Sequence, residues 1–317
     1  MNNRYALAII AALAFAGCGS QVAPTGITGA ASASFGESWM LPEAKGEDLL
    51  YISDGSTVDV YSYPQAKLVG QLTGFYTAAA LCVDRAGNVW VGDSKIHYDS
   101  FSLIEYAHGG SKPIKTLSDS GEGEAYFVSA CSVDSTTGNL AAVNWSDGPS
   151  GQGNVAVFLN ASGSPKIYTG YYIHPFGAAY DDNGDLFVDS DQYYSGSGCA
   201  LYELRARKQK FKPLRLRHVY DCSGVQWDGK HIAVGDSDQD VIYKFAVHGR
   251  HLRKVASTSL GGADDVAQFW IQGANVIGPN NLSATAMIWK YPAGGDPVRT
   301  ITGLNEPWDA TVSLASK

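Results

Sequence analysis

The familiar one-segment catalytic signatures are missing from this chain. After the N-terminal leader there is no G-x-S-x-G elbow, no H-E-x-x-H pair, no C-x-x-C and no phosphate-cradling glycine loop. Any chemistry must therefore be assembled from single residues on separate segments. No stretch after the leader holds a helical period, which excludes a helix-based fold. The apolar run at 5–15 has eleven residues, against the roughly twenty that cross a bilayer as a helix. Charge is sparse as well, at 17% of residues with a net −8. An acidic chain is a poor partner for nucleic acid.

What is present is repetition. The segments 81–93, 131–145, 178–191, 225–238 and 269–281 each read as an apolar strand, a polar turn and a second apolar strand. A sixth copy is split between the two ends, with its second strand at 49–55 and its first at 309–315. Six aromatic-rich hairpins follow the second strands, at 58–74, 103–119, 155–170, 200–216, 241–257 and 286–303. The turn aspartates Asp84, Asp134, Asp181 and Asp228 are spaced by 50, 47 and 47 residues, close to the length of a four-stranded blade. The expected fold is all-β, a six-bladed β-propeller in which the C-terminal strand closes the first blade. Glycine is abundant, with 36 residues, as twelve tight turns require. Trp90, Trp227, Trp270 and Trp289 fall in strands and read as packing between blades.

The organisation divides into 1–18, 19–44 and 45–317. Residues 1–18 have the form of an export signal, with a short positive start and an apolar core too short to span. Phe15-Ala16-Gly17-Cys18 resembles a bacterial lipobox, which implies lipidation of Cys18 and a membrane anchored through that lipid. The rival is ordinary cleavage after Ala14-Phe15-Ala16. Residues 19–40 are rich in Ala, Gly, Ser and Thr, and 19–44 read as a flexible tether. The propeller is expected to be monomeric.

Export permits disulfides, and four cysteines remain after Cys18. Cys199 and Cys222 are expected to bridge across the outer hairpin of blade four. Cys82 and Cys131 lie on the inner strands of consecutive blades and form a second candidate bridge. Four buried free thiols are the competing reading.

Charge is uneven: residues 204–254 carry twelve Lys or Arg against five Asp, a local +7, which leaves −15 on the rest. Much of the excess lies in the hairpin tips 205–212 and 248–254. They read either as a basic patch for anionic headgroups or an acidic partner, or as solvated turns.

A binding site is expected where the loops around the first two strands of each blade converge on one mouth of the channel. His174, Trp145 and Trp308 fall in those loops. The tetrapeptide Asp-Ser-Asp-Gln occurs twice there, at 189–192 and 236–239. Asp189, Asp191, Asp236 and Asp238 are thus candidate ligands for a divalent metal such as calcium, which takes six to eight oxygens. The competing reading is structural: an aspartate at a strand end accepts amides of a neighbouring turn, and a repeat copies that cap.

The pattern Pro-x-Gly, two apolar residues, x-Asp-x-x-Gly-Asp, then apolar residues and Val, seen at 175–188, resembles the six-bladed NHL-repeat and gluconolactonase-like propellers over about 45–315. The resemblance implies the fold, and in the lactonase branch a channel metal held by Glu, Asn and a Pro-Asp-Gly aspartate. Phe176 stands in that last place here. The NHL branch implies a recognition scaffold. Two functions follow: a lipid-anchored module that binds a protein, glycan or small ligand, and a metal-dependent lactonase or esterase.

Overall fold

The computed structural model describes residues 36–95, 100–118, 127–146, 152–169, 174–191 and 198–316. Cys18 and the leader lie outside them. The described chain forms six antiparallel sheets. Blade one pairs Pro307–Ser313 with Leu49–Asp54, Thr57–Ser62 and Leu68–Leu72, so the last strand of the chain is its innermost. Blade two runs Ala78–Val83, Val89–Lys95, Ser100–Tyr106, Pro113–Ser118. Blade three runs Val128–Val133, Leu140–Asn144, Asn154–Phe158, Lys166–Tyr168. Blade four runs His174–Tyr180, Leu186–Asp191, Cys199–Leu204, Lys212–Leu214. Blade five runs Cys222–Trp227, Ile232–Asp236, Val241–His248, His251–Ser259. Blade six runs Trp270–Gln272, Asn275–Asn280, Thr285–Lys290, Arg299–Thr302.

The propeller takes in residues before a boundary at 45. Trp39–Met40 adds a fifth strand to blade one, in register with Gln71 and Gly70. Ala44, in the short turn that follows, is wholly buried in the cluster between blades one and two. The three residues Trp39-Met40-Leu41 are apolar, and Met40 and Leu41 pack against that same cluster, so the strand is held by side-chain burial as well as by edge pairing.

Burial explains why the ring closes. The apolar residues form six clusters, each lying between two consecutive blades, with the last joining blade six to blade one. A single blade cannot bury both faces of its sheet, so each supplies half of two cores. Trp90 and Trp289 are fully buried in two of these clusters, and Trp227 and Trp270 pack at the edges of two others. Truncating a fully buried tryptophan at such a joint costs about 3–5 kcal/mol.

Both candidate disulfides are present, and both join neighbouring blades. Cys82–Cys131 links the inner strands of blades two and three. Cys199–Cys222 differs from the expected hairpin bridge: Cys222 opens the inner strand of blade five, so the bond ties blade four to blade five. The stretch after Lys212–Leu214 contains a turn at Arg215–Leu216 and a positive-φ His218, which carry the chain off the outer edge and into the next blade before Cys222.

Candidate functional site at the channel mouth

The two ends of the ring are capped by different sets of aspartates. At the end formed by the turns between first and second strands, Asp84, Asp134, Asp181 and Asp228 each accept amides of their own turn. Asp84 Oδ1 takes the N–H groups of Ala86 and Asn88, both at 2.8 Å. Asp181 Oδ1 takes those of Asn183 and Asp185 at 2.9 Å. This is an Asx turn, copied with the repeat.

At the opposite end, the mouth, a side chain at or near the end of the second strand reaches sideways to the loop that enters its own blade. Asp54 Oδ1 accepts the amides of Asn305 and Glu306 at 2.7 and 2.6 Å. Asp93 Oδ1 accepts those of Tyr76 and Thr77 at 2.7 and 2.9 Å. Asp236 accepts from Tyr220 and Asp221 at 2.9 and 3.3 Å, and Asn280 Oδ1 from Asp264 at 2.9 Å. In blades one to five the inner strand pair carries a register shift at this end, which turns the loop amides toward the capping side chain.

Asp189 departs from this pattern. It is fully buried; Oδ1 accepts Gly177 N at 2.5 Å, and Oδ2 reaches blade five to accept Gly224 N at 3.2 Å. The two glycines meet back to back: a Cβ on Gly177 would come within 2.6 Å of the Gly224 Cα, so only glycine lets the two inner strands approach this closely. Burial pushes the Asp189 carboxyl up to about 7, even against these amides.

The four aspartates considered for calcium are therefore not one ligand set. Asp189 and Asp236 are occupied by backbone amides, Asp191 is the strand partner of His174, and exposed Asp238 accepts Gln239 Nε2 at 2.7 Å. Among the described residues no three carboxylates bring oxygens within 4.8 Å of one another. The single group of three ligand-type atoms at that distance is Asp189 with Cys199 and Cys222, whose sulfurs are bonded to each other. The residues present do not fit a calcium ion.

What the mouth does gather is aromatic. Trp308, from the closing strand of blade one, meets Phe127 before blade three edge-on at 5.1 Å and Phe176 of blade four at 5.6 Å. Its indole N–H donates to the Ser129 carbonyl at 3.3 Å. Gln268, ahead of blade six, donates from Nε2 to the Phe176 carbonyl at 2.8 Å. Side chains of blades one, four and six, with Phe127 from the blade-three loop, thus meet at the axis. Beside them Trp145 stacks on His174, with ring centroids 4.6 Å apart and planes 20° from parallel. All five rings are partly exposed. Trp308, Trp145 and His174 were expected at the mouth; Phe176 and Gln268 were not expected to line it. Phe176 could have been read as a lining residue, since it stands at the position of a channel ligand in the lactonase-like pattern. For Gln268 no local signal exists, because its partner is 92 residues away.

The blade five and six sector of the mouth is acidic. Burial, then the charges of Asp264, Asp265, Asp236 and Asp238, push the Asp240 carboxyl up to about 6. Burial, with Asp221 and Asp264 nearby, raises Asp265 as well. Asp240 Oδ1 is buried without a hydrogen-bond partner among the described residues. Such a surface favours a cationic or hydrogen-bond-donating ligand over an anion.

No family model and no curated protein matches the chain. Solved structures do match in fold. A chain of the nidogen/laminin complex superposes with a TM-score of 0.66 at 10% identity, over 85% of this chain and all of that one. A functionally unknown protein from Desulfotomaculum acetoxidans DSM 771 gives 0.56 at 11% identity, with the same coverages. At such identities the likeness shows the propeller fold alone.

Proposed function

We propose that this protein is an exported, lipid-anchored β-propeller of the NHL-repeat and gluconolactonase-like kind, whose mouth binds a protein, glycan or small ligand without turnover. The observation that carries the reading is the cluster of partly exposed rings, Trp308, Phe127, Phe176, Trp145 and His174, beside carboxylates held as backbone caps. Rings with a wet face and a buried face supply contact area at low entropic cost, and the acidic sector supplies hydrogen-bond acceptors at one side. Export is supported by the two disulfides together with the leader and its lipobox-like Cys18.

The hydrolase alternative needs a gathered metal set, and Phe176 fills the place its family motif gives to aspartate. Tryptophan-fluorescence titration against a panel of oligosaccharides and basic peptides tests the reading. A ligand bound by the native protein should bind about tenfold or more weakly to Trp308→Ala, with thermal stability little changed. A tightly held divalent ion with lactone or ester turnover, lost in Asp240→Asn, would replace binding with catalysis.

A further inference from the structure

The two basic hairpins, separated by some forty residues in sequence, are joined in the fold. Arg215 N, after the outer strand of blade four, donates to the Arg250 carbonyl at the blade-five tip at 3.3 Å, and Arg205 Nη2 donates to the Gly249 carbonyl at 3.3 Å. The segments 205–217 and 248–254 thus make one continuous surface at the outer rim, at the turn end of the ring, opposite the mouth.

Arg207, Lys208, Lys210, Arg250, Arg253 and Lys254 are all exposed on it. Among the described residues none of the six has a carboxylate within 4.0 Å. Of the acids at the same end, Asp228 pairs with Lys244 at 2.6 Å and Glu203 with Arg205 at 2.9 Å, while Asp181, Asp182 and Asp185 sit on the inner turn of blade four, Asp185 accepting Ala206 N at 2.7 Å. The six cations thus form a face without ion pairs, in a protein whose net charge is −8.

We propose that this face docks on the surface of an anionic phospholipid bilayer and sets the orientation of the ring, with the turn end against the headgroups and the aromatic mouth facing away. The cations sit on projecting tips and an outer strand spanning two blades, which suits a diffuse layer of fluid anions. Juxtamembrane cations of this kind act additively within a Debye length. Elsewhere the chain is acidic and would be repelled by the same surface, so the attraction fixes one orientation.

The proposal rests in one respect on the lipid-anchor reading, which brings the face to the membrane. The described chain begins at the mouth end of blade one, where Thr73 contacts Gly36 and Ser38. From Cys18 to Ser38 the chain can extend to at most about 70 Å. That reach allows the turn end to lie down on the bilayer.

Co-sedimentation of the purified, processed protein with vesicles of phosphatidylcholine alone, and of phosphatidylcholine mixed with phosphatidylglycerol, tests this. At low salt binding to the mixed vesicles should be about tenfold or more stronger, and the excess should vanish at high salt. The variant Arg207→Glu/Lys208→Glu/Lys210→Glu/Arg250→Glu/Arg253→Glu should bind both vesicles like neutral ones while keeping the native near-UV circular dichroism. Equal binding of the native protein to both vesicle types overturns the proposal, as does an anionic excess that the variant retains. Capture of soluble polyglutamate without an anionic-vesicle excess overturns it in favour of an acidic protein. Failure to bind neutral vesicles removes the anchor and leaves the basic face to be judged by the anionic excess.

Discussion

The two ends of this ring use the same residue for opposite electrostatic ends. At the turn end, burial acts to raise Asp134, but the hydroxyls and amides of Thr137 and Thr136 outweigh it and hold the carboxyl below its ordinary value. Asp228 is likewise held down, with Lys244, the His231 amide and Tyr291 outweighing burial. At the mouth end, burial dominates. Asp93 and Asp236 are raised despite two amides each, and Asp240 is raised by burial and then by its acidic neighbours. A tight turn supplies its own donors within a few residues and saturates its aspartate. The mouth must draw donors from loops of varied length, and it leaves carboxylates short of them. Perturbed carboxyls therefore accumulate at the mouth, while those of the turn end are saturated by their own turns.

Each end also carries one disulfide, which allows the largest test of the comparison. Cys82–Cys131 lies near the turn end and closes 49 residues, while Cys199–Cys222 lies at the mouth and closes 23. Chain entropy alone puts their contributions at about 4 and about 3 kcal/mol. Chemical denaturation of the two double-alanine variants should follow that order. A larger loss at the mouth would mean that the blade four–five joint depends on its bond through native contacts, beyond loop closure.

A smaller contrast concerns the caps. Asp189→Ala strands two buried amides, those of Gly177 and Gly224, and should cost about 2–4 kcal/mol. Asp84→Ala leaves its turn amides facing water and should cost about 1 kcal/mol. Equal losses by urea denaturation would erase the distinction between a buried joint and a solvated turn.

The remaining contrast is in pH dependence, and its sign differs between the ends. Asp189 and Asp309, both fully buried, are raised to about 7 and about 8, chiefly by burial. A carboxyl raised on folding contributes stability that is full below its unfolded value near 4 and is lost as pH climbs through the folded value. Melting temperature should therefore decline from about pH 5 to 8, and Asp309→Asn should flatten the decline. Asp134 and Asp228 act the other way: their contribution is present above the unfolded value and lost as pH falls below it. A native slope between pH 5 and 8 that persists unchanged in Asp309→Asn would assign it to other groups.

Much of this molecule could be read from the chain. The period of the turn aspartates, the split terminal repeat and the aromatic hairpins lead to six closed blades, because repeated strand and turn chemistry is local and survives without coordinates. The structural reading of the Asp-Ser-Asp-Gln pair, as caps, was also legible from strand-end position. Trp145 lies in a loop as expected, whereas Trp308 and His174, also expected in loops, in fact open the inner strands of blades one and four. The partner of Cys222 was legible, but the blade that holds it was not, since the chain between 215 and 221 leaves the sheet edge in a way that apolar alternation does not mark. The fifth strand at Trp39–Met40 escaped for a different reason: its apolar signal, Trp39-Met40-Leu41, is only three residues long and too short to show an alternation, although Met40 and Leu41 pack on the blade one–two core.

The sequence by itself determined the number of blades, the closure of the ring by its final strand and the residue types at each end, all consequences of short-range periodicity. Only the tertiary structure decided which of those residues meet. It set Trp308 against Phe176 across the axis, ran Asp189 from blade four to a blade-five amide, and joined two distant basic hairpins into one face. Those pairings depend on how six sheets close around a common axis, and contacts across that axis have no counterpart in the spacing along the chain.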